Sequence, residues 1–249
     1  MIPTRVGKYN IIVIYQYGKV GSSSIGVNIS SWLHTRFPGT TMKPLVRYPK
    51  VVHIHDPKIL DDILKKYNHV LIINATRNFY HRQISEFFQQ SKNREKIKTM
   101  TMEQLSQELL DNKIYRLNDW YERFESQLGF SLNPFDYTDH YSWTKNRQNL
   151  SRSIDVLIVR LEDSKHWENI FKKFLHPKIK FSQRTNLSKN CWYGDVYTKF
   201  KSHFIYPQDA TDLLAQSDTH IRFYKDLGDL NLNLPIPVNK TNESSESEI

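Results

Sequence analysis

Four short runs of Val, Ile and Leu constrain this chain more than any other feature. They are NIIVIYQ (10–16), KVVHIH (50–55), HVLIINAT (69–76) and DVLIVRL (155–161). A half-exposed strand alternates apolar and polar residues, whereas near-continuous apolar runs of this length mark strands covered on both faces. Stretches at 23–36, 57–67 and 78–90 carry helical spacing and lie between or after the first three runs. Strands and helices in alternation predict an α/β fold, a three-layer α/β/α arrangement around a central parallel sheet.

The helix boundaries have chemical signals of their own. Asp56 is placed to cap the second helix, and Pro57 suits its first position. Thr101 and Gln104 form a capping box for a longer helix predicted over 102–128. Leu105, Leu109, Ile114, Leu117, Tyr121, Phe124 and Leu128 keep its period, and Gly129 stops it. An amphipathic stretch at 164–175 follows the fourth strand. A loop at 183–194 and helices between 195 and 226 are expected to complete the fold. The 249 residues show no internal repeat and no break in composition before residue 230, so one domain is expected over 1–230. The end, 231–249, is polar, acidic and rich in serine, and is expected to lack fixed structure.

Net charge is +9, and the tail holds one lysine against three glutamates, so residues 1–230 carry +11. That balance favours an anionic partner: a phosphorylated small molecule, nucleic acid or a membrane surface. No stretch approaches the roughly 18 apolar residues of a membrane span. The N-terminus lacks the pattern of a signal peptide, and the single cysteine, Cys191, excludes an internal disulfide framework. A cytoplasmic location is the expectation.

Three stretches carry candidate chemistry. The first strand runs into YGKVGSSS (17–24), where a glycine turn opens a helix. Such a turn aims backbone N–H groups at one point that the helix dipole also makes favourable for an anion. Lys19 adds a mobile cation, and Ser22, Ser23 and Ser24 add hydroxyl donors. The segment is not a Walker A loop, because the lysine precedes the second glycine. An ordinary strand–helix connection with a serine cap is the alternative. The third strand ends in RNFYHRQISEF (77–87), which places Arg77 where a helix begins. Ser85 lies eight residues on, about 12 Å along a helix. Arg82 is read as a solvated helix residue paired with Glu86. In VVHIHDP (51–57), His53 and His55 share one strand face, and His55 should project at the carboxyl edge of the sheet. A histidine there can accept a proton near neutral pH. The pair lacks a third metal ligand at useful spacing, and a structural role is the alternative for an isolated histidine.

Together these stretches resemble the sulfotransferases that use 3′-phosphoadenosine 5′-phosphosulfate (PAPS). KVGSSS is similar to the family's K-x-G-[ST]-[ST]-[ST] loop for the 5′-phosphosulfate. RNFYHRQISEF resembles its R-D-P-x-x-R-x-x-S-x-F element for the 3′-phosphate. It keeps Arg77, Arg82, Ser85 and Phe87 and replaces the D-P pair with Asn78 and Phe79. VVHIHDP looks like the K-T-H-x-P strand end whose histidine is the catalytic base, which puts His55 at the base and His53 at the lysine position. LIVRLED (157–163) is similar to the R-x-E-D-L strand, and 186–200 to the late loop that closes over the nucleotide. The resemblance spans residues 10–226 and leans toward bacterial proteins labelled for capsular polysaccharide synthesis, or carbohydrate sulfotransferase-like proteins.

The resemblance implies a P-loop-like sulfotransferase fold and transfer of a sulfuryl group from PAPS to a hydroxyl or amine, with a saccharide as acceptor. His55 and Lys19 would be catalytic. Gly18, Lys19, Val20, Gly21, Ser22, Ser23, Ser24, Arg77, Ser85 and Lys189 would hold the cosubstrate. No metal and no nucleic acid would be required. A P-loop-type kinase shares the architecture but lacks its G-K-[ST]. A basic nucleic-acid-binding module is supported only by charge and by SKNREKIK (91–98). Of the aromatic residues between 115 and 143, Trp120, Tyr141 and Trp143 are candidates for a sugar-binding cleft, while Tyr121 and Phe124 fit the helix's apolar face.

Overall fold

The computed structural model describes residues 8–16, 21–36, 49–90, 94–111, 120–149, 151–182, 191–216 and 218–224. Five strands form one sheet in the order β2-β1-β3-β5-β4. They are β1 (Ile11–Tyr15), β2 (Lys50–Ile54), β3 (His69–Thr76), β4 (Tyr141–Asn149) and β5 (Arg152–Arg160). The first four neighbours in that order run parallel, and β4 closes the far edge antiparallel to β5.

The apolar runs sort by parity, as strands buried on both faces must. Ile11, Val13 and Tyr15 of β1, Val70 and Ile72 of β3, and Ile154, Val156 and Ile158 of β5 face one cluster. That cluster is completed by α2 (Pro57–Lys66), α6 (Trp120–Leu128) and α10 (Asp218–Phe223). Ile12, Ile14, Leu71, Ile73, Leu157 and Val159 face the other side, where they meet α1 (Ser22–Arg36) and α7 (Trp167–Phe174). Helices therefore cover both sheet faces, in keeping with the α/β/α expectation. A third cluster joins α3 (Phe79–Gln90), α4 (Arg94–Thr99), α5 (Met102–Asp111) and α8 (Gly194–His203), with α9 (Gln208–Ala215) beside it. Among the described residues no helix is long and apolar enough to cross a membrane.

The predicted caps form. Asp56 accepts from the Lys58 amide at 2.8 Å, with Pro57 opening α2. Thr101 and Gln104 exchange the two bonds of a capping box, 2.9 and 3.2 Å. Gly129, at φ +74°, ends α6. The helix expected over 102–128 is seen as α5 and α6, and 112–119 lie outside the described residues. Its two ends pack in different clusters, Leu105 and Leu109 against α8 and Tyr121 and Phe124 against the sheet.

Two strand expectations need correction. β5 starts at Arg152, three residues earlier than the apolar run suggested, and β4 went unread. The buried side of β4 is polar: Ser142 donates to the Asn133 carbonyl at 2.6 Å, and Thr144 accepts from the Asn133 amide at 2.7 Å. The strand has no apolar run because its core-facing groups are satisfied by a neighbouring turn. The expected tail at 231–249 lies outside the described residues.

Candidate functional site

In a parallel sheet every strand delivers its next loop to the same edge. Here the adjacency β2-β1-β3 brings three connections side by side: the loop after β1, the turn after β2 and the turn after β3. At that edge lie, in order, Gly21 with Ser22 to Ser24 at the start of α1, His53 among the last residues of β2 with His55 just beyond it, and Arg77. Gly18, Lys19, Val20 and Lys189 lie outside the described residues.

Gly21 adopts φ +80°, a conformation L-residues rarely hold. A Cβ there would stand 2.6 Å from Leu161 Cδ1 and 3.2 Å from Trp167 Cη2. The glycine therefore answers both a backbone turn and a close approach of the segment after β5. Gly21→Ala is expected to cost about 1–3 kcal/mol from backbone strain, with the Leu161 contact added. Leu161→Ala in the same chain should relieve the contact and leave the backbone part. Urea unfolding of the two single variants and the double variant measures this coupling, and full additivity would show that Leu161 plays no part.

Ser22 opens α1 and is 2% exposed, while Ser23 and Ser24 are half-buried. The Ser22 hydroxyl meets His53 Nε2 at 3.0 Å, and Gln16 Nε2 approaches the same ring nitrogen at 3.4 Å. Gln16 is buried at the end of β1, and its Oε1 has no hydrogen-bond partner. Partial burial lowers the pKa of His53, and the neighbouring His55 lowers it further. His53 is therefore held neutral at neutral pH.

His55 sits just past the end of β2, exposed, with its ring centroid 4.8 Å from that of His53. Its Nδ1 lies 3.3 Å from the Gln16 carbonyl oxygen. A carbonyl only accepts, so this bond places the proton on Nδ1 and leaves Nε2 as the basic nitrogen. Among the described residues no group of three His, Cys, Asp or Glu side chains is arranged to hold a metal ion.

The turn after β3 is clamped from three directions. Asn78 is buried, and its Oδ1 accepts from the amides of Tyr80 and His81 at 3.0 and 3.4 Å, capping α3. Its own amide donates to Glu162 Oε1 at 2.9 Å. Asn78 thus does as a cap what an aspartate would do there, without the charge. Burial would raise the Glu162 carboxyl, but hydrogen bonds from His81 and the Asn78 amide outweigh it and hold the group below its ordinary range. Arg77 Nη2 donates to the Tyr197 hydroxyl on α8 at 3.3 Å. Ser85 is half-buried on α3, about 9 Å along the helix from its first residue.

Several side chains differ from expectation. Arg82 is 4% exposed, with its guanidinium 5.3 Å from the Phe79 ring, so it is not a solvated helix residue. Trp120 belongs to the core, 5.3 Å from Tyr15 and 4.9 Å from Phe124. Trp143 and Tyr141 are half-buried and pack on Phe174 of α7. Trp192 packs against the third cluster beside Tyr193. The contact between Ser22 and His53 was missed, because neither strand parity nor loop composition tells which ring nitrogen meets which hydroxyl.

No protein-family model matches the chain. No curated protein matches it either.

Proposed function

We propose that this protein is a PAPS-dependent sulfotransferase that acts on a hydroxyl or amine acceptor, with a saccharide as the substrate class. The observation that carries the reading is the convergence of the glycine–serine loop, the paired histidines and Arg77 at the ends of three adjacent strands. Sequence separation alone did not require it, since 56 positions divide Gly21 from Arg77.

In this reading the backbone amides from Gly21 to Ser24 and the start of α1 face the 5′-phosphosulfate. Lys19, Gly18 and Val20 would complete that loop. Arg77 and Ser85 would bind the 3′-phosphate, which distinguishes PAPS from ATP, and Lys189 would approach from the late loop. The acceptor oxygen attacks sulfur in line as the bond from sulfur to the bridging phosphate oxygen breaks. His55 Nε2 takes the acceptor's proton. Oriented amides and Lys19 stabilise the charge growing on the departing phosphate. The +11 of residues 1–230 favours so highly charged a cosubstrate.

Thermal unfolding with adenosine 3′,5′-bisphosphate, against ATP and a short RNA, tests the reading. A ligand at 100 times its Kd adds about 2.7 kcal/mol, roughly 5–10 °C in Tm for a chain of this size. The expected result is a shift with the bisphosphate alone, lost in Arg77→Ala. A shift with ATP alone would favour a kinase, and a response only to RNA a nucleic-acid-binding module.

A further inference from the structure

The Ser22 hydroxyl has one proton, and in the free protein that proton is committed to a histidine. Ser22 Oγ and Gln16 Nε2 both reach His53 Nε2, at 3.0 and 3.4 Å. An amide nitrogen can only donate, so this arrangement makes Nε2 the acceptor of both bonds. Ser22 is also the first residue of a 15-residue helix, where the dipole favours an anion. A phosphate seated there needs the Ser22 hydroxyl as a donor. The same proton cannot serve the phosphate and His53 at once.

We propose that His53 is a positioning residue that couples anion binding at the first loop to uptake of one proton. When the anion takes the Ser22 hydroxyl as its donor, His53 loses that donor and gains a nearby negative charge. Its Nε2 then binds a proton from solvent and donates to Ser22 Oγ, so the hydroxyl accepts from the imidazolium and donates to the anion, while the Gln16 amide turns to present its partnerless Oε1 to the ring. The proton comes from bulk water, and no covalent bond changes. Among the described residues the titratable group facing His53 is His55, on its own strand; β1 and α1 present neutral Gln16 and Ser22 to it. Partial burial and His55 keep His53 below its ordinary pKa while the loop is empty. An arriving anion works against both influences. The coupling belongs to the loop's anion chemistry and deepens the sulfotransferase reading, while remaining separable from it.

Calorimetry on the full chain tests it, with adenosine 3′,5′-bisphosphate and inorganic pyrophosphate as separate probes in buffers of differing ionisation enthalpy. Work between pH 7 and 8.5 keeps the phosphate monoesters of the bisphosphate largely past their second ionisation, which falls near pH 6, and the same titration of His53→Gln subtracts the proton exchange that belongs to pyrophosphate itself. Wild type should take up protons on binding, and affinity should fall by up to about tenfold per pH unit as pH rises toward the bound-state pKa of His53. His53→Gln and Ser22→Ala should bind more weakly with that uptake removed, whereas His55→Gln should keep it. The His53 imidazole resonance, followed by NMR in wild type, gives the same answer without a variant. Uptake with pyrophosphate and no preference for the bisphosphate would uphold the coupling and overturn the PAPS reading. Bisphosphate binding without uptake, or uptake unchanged in His53→Gln, would overturn the coupling alone. Binding of neither probe would overturn both.

Discussion

On the proposed sulfotransferase reading, His55→Gln is expected to slow sulfuryl transfer by about 10²–10⁴-fold, the usual worth of a positioned general base. Adenosine 3′,5′-bisphosphate binding should change by no more than a few fold. Glutamine is the informative replacement because its amide can still donate to the Gln16 carbonyl, the partner of His55 Nδ1 at 3.3 Å. What it cannot do is accept a proton from the acceptor. Both histidines are exposed, but His53 Nε2 is tied to Ser22 and Gln16, whereas the bond of His55 to the Gln16 carbonyl uses Nδ1. Single-turnover transfer rates and equilibrium binding of the bisphosphate separate chemistry from affinity. Equal transfer rates in variant and wild type would remove His55 from the mechanism. Parallel losses in rate and binding would instead assign it to holding the nucleotide.

The contrast between the two histidines shows where sequence reading reaches its limit. Strand parity placed both on one face, and the cap at Asp56 placed His55 at the edge; both features are local and were legible. Which of the two meets the helix depends on β1 lying beside β2, so that Gln16 and Ser22 arrive together. That is a tertiary fact with no periodic signature. The same holds for Arg82. Its i+4 acid suggested a surface pair, but α3 lies against α8 and the guanidinium is buried beside Phe79. The central strands were legible because burial on both faces forces continuous Val and Ile. β4 was not, because an edge strand can satisfy polar inward groups, here Ser142 and Thr144, from a turn. Asn78 is the intermediate case. Its identity departs from the sulfotransferase pattern that the segment resembles, yet a capping asparagine is a legible device once a helix start is placed there.

The largest expected effect on stability comes from Arg160→Met, about 3–5 kcal/mol, the range for removing one partner of a buried ion pair. Arg160 ends β5 and is 2% exposed. Its Nε donates to Asp163 Oδ2 at 2.5 Å, and its Nη1 donates to the Phe223 carbonyl on α10 at 3.1 Å. The guanidinium also stands 4.4 Å from the Phe135 ring centroid and between 5 and 6 Å from those of Tyr137 and Tyr224. One side chain therefore ties the end of the sheet to α10 and to the turn before β4. Methionine can fill much of the volume, but it strands the Asp163 carboxylate, which is 7% exposed. His140 Nδ1 also lies 3.1 Å from Asp163 Oδ1. Adding Asp163→Asn removes the stranded charge and should recover more than half of the loss at pH 8. Urea unfolding of the single and double variants at pH 8 measures the loss and its recovery. Recovery below about 1 kcal/mol would move the cost from the carboxylate to the ring contacts and the Phe223 carbonyl, which asparagine does not restore.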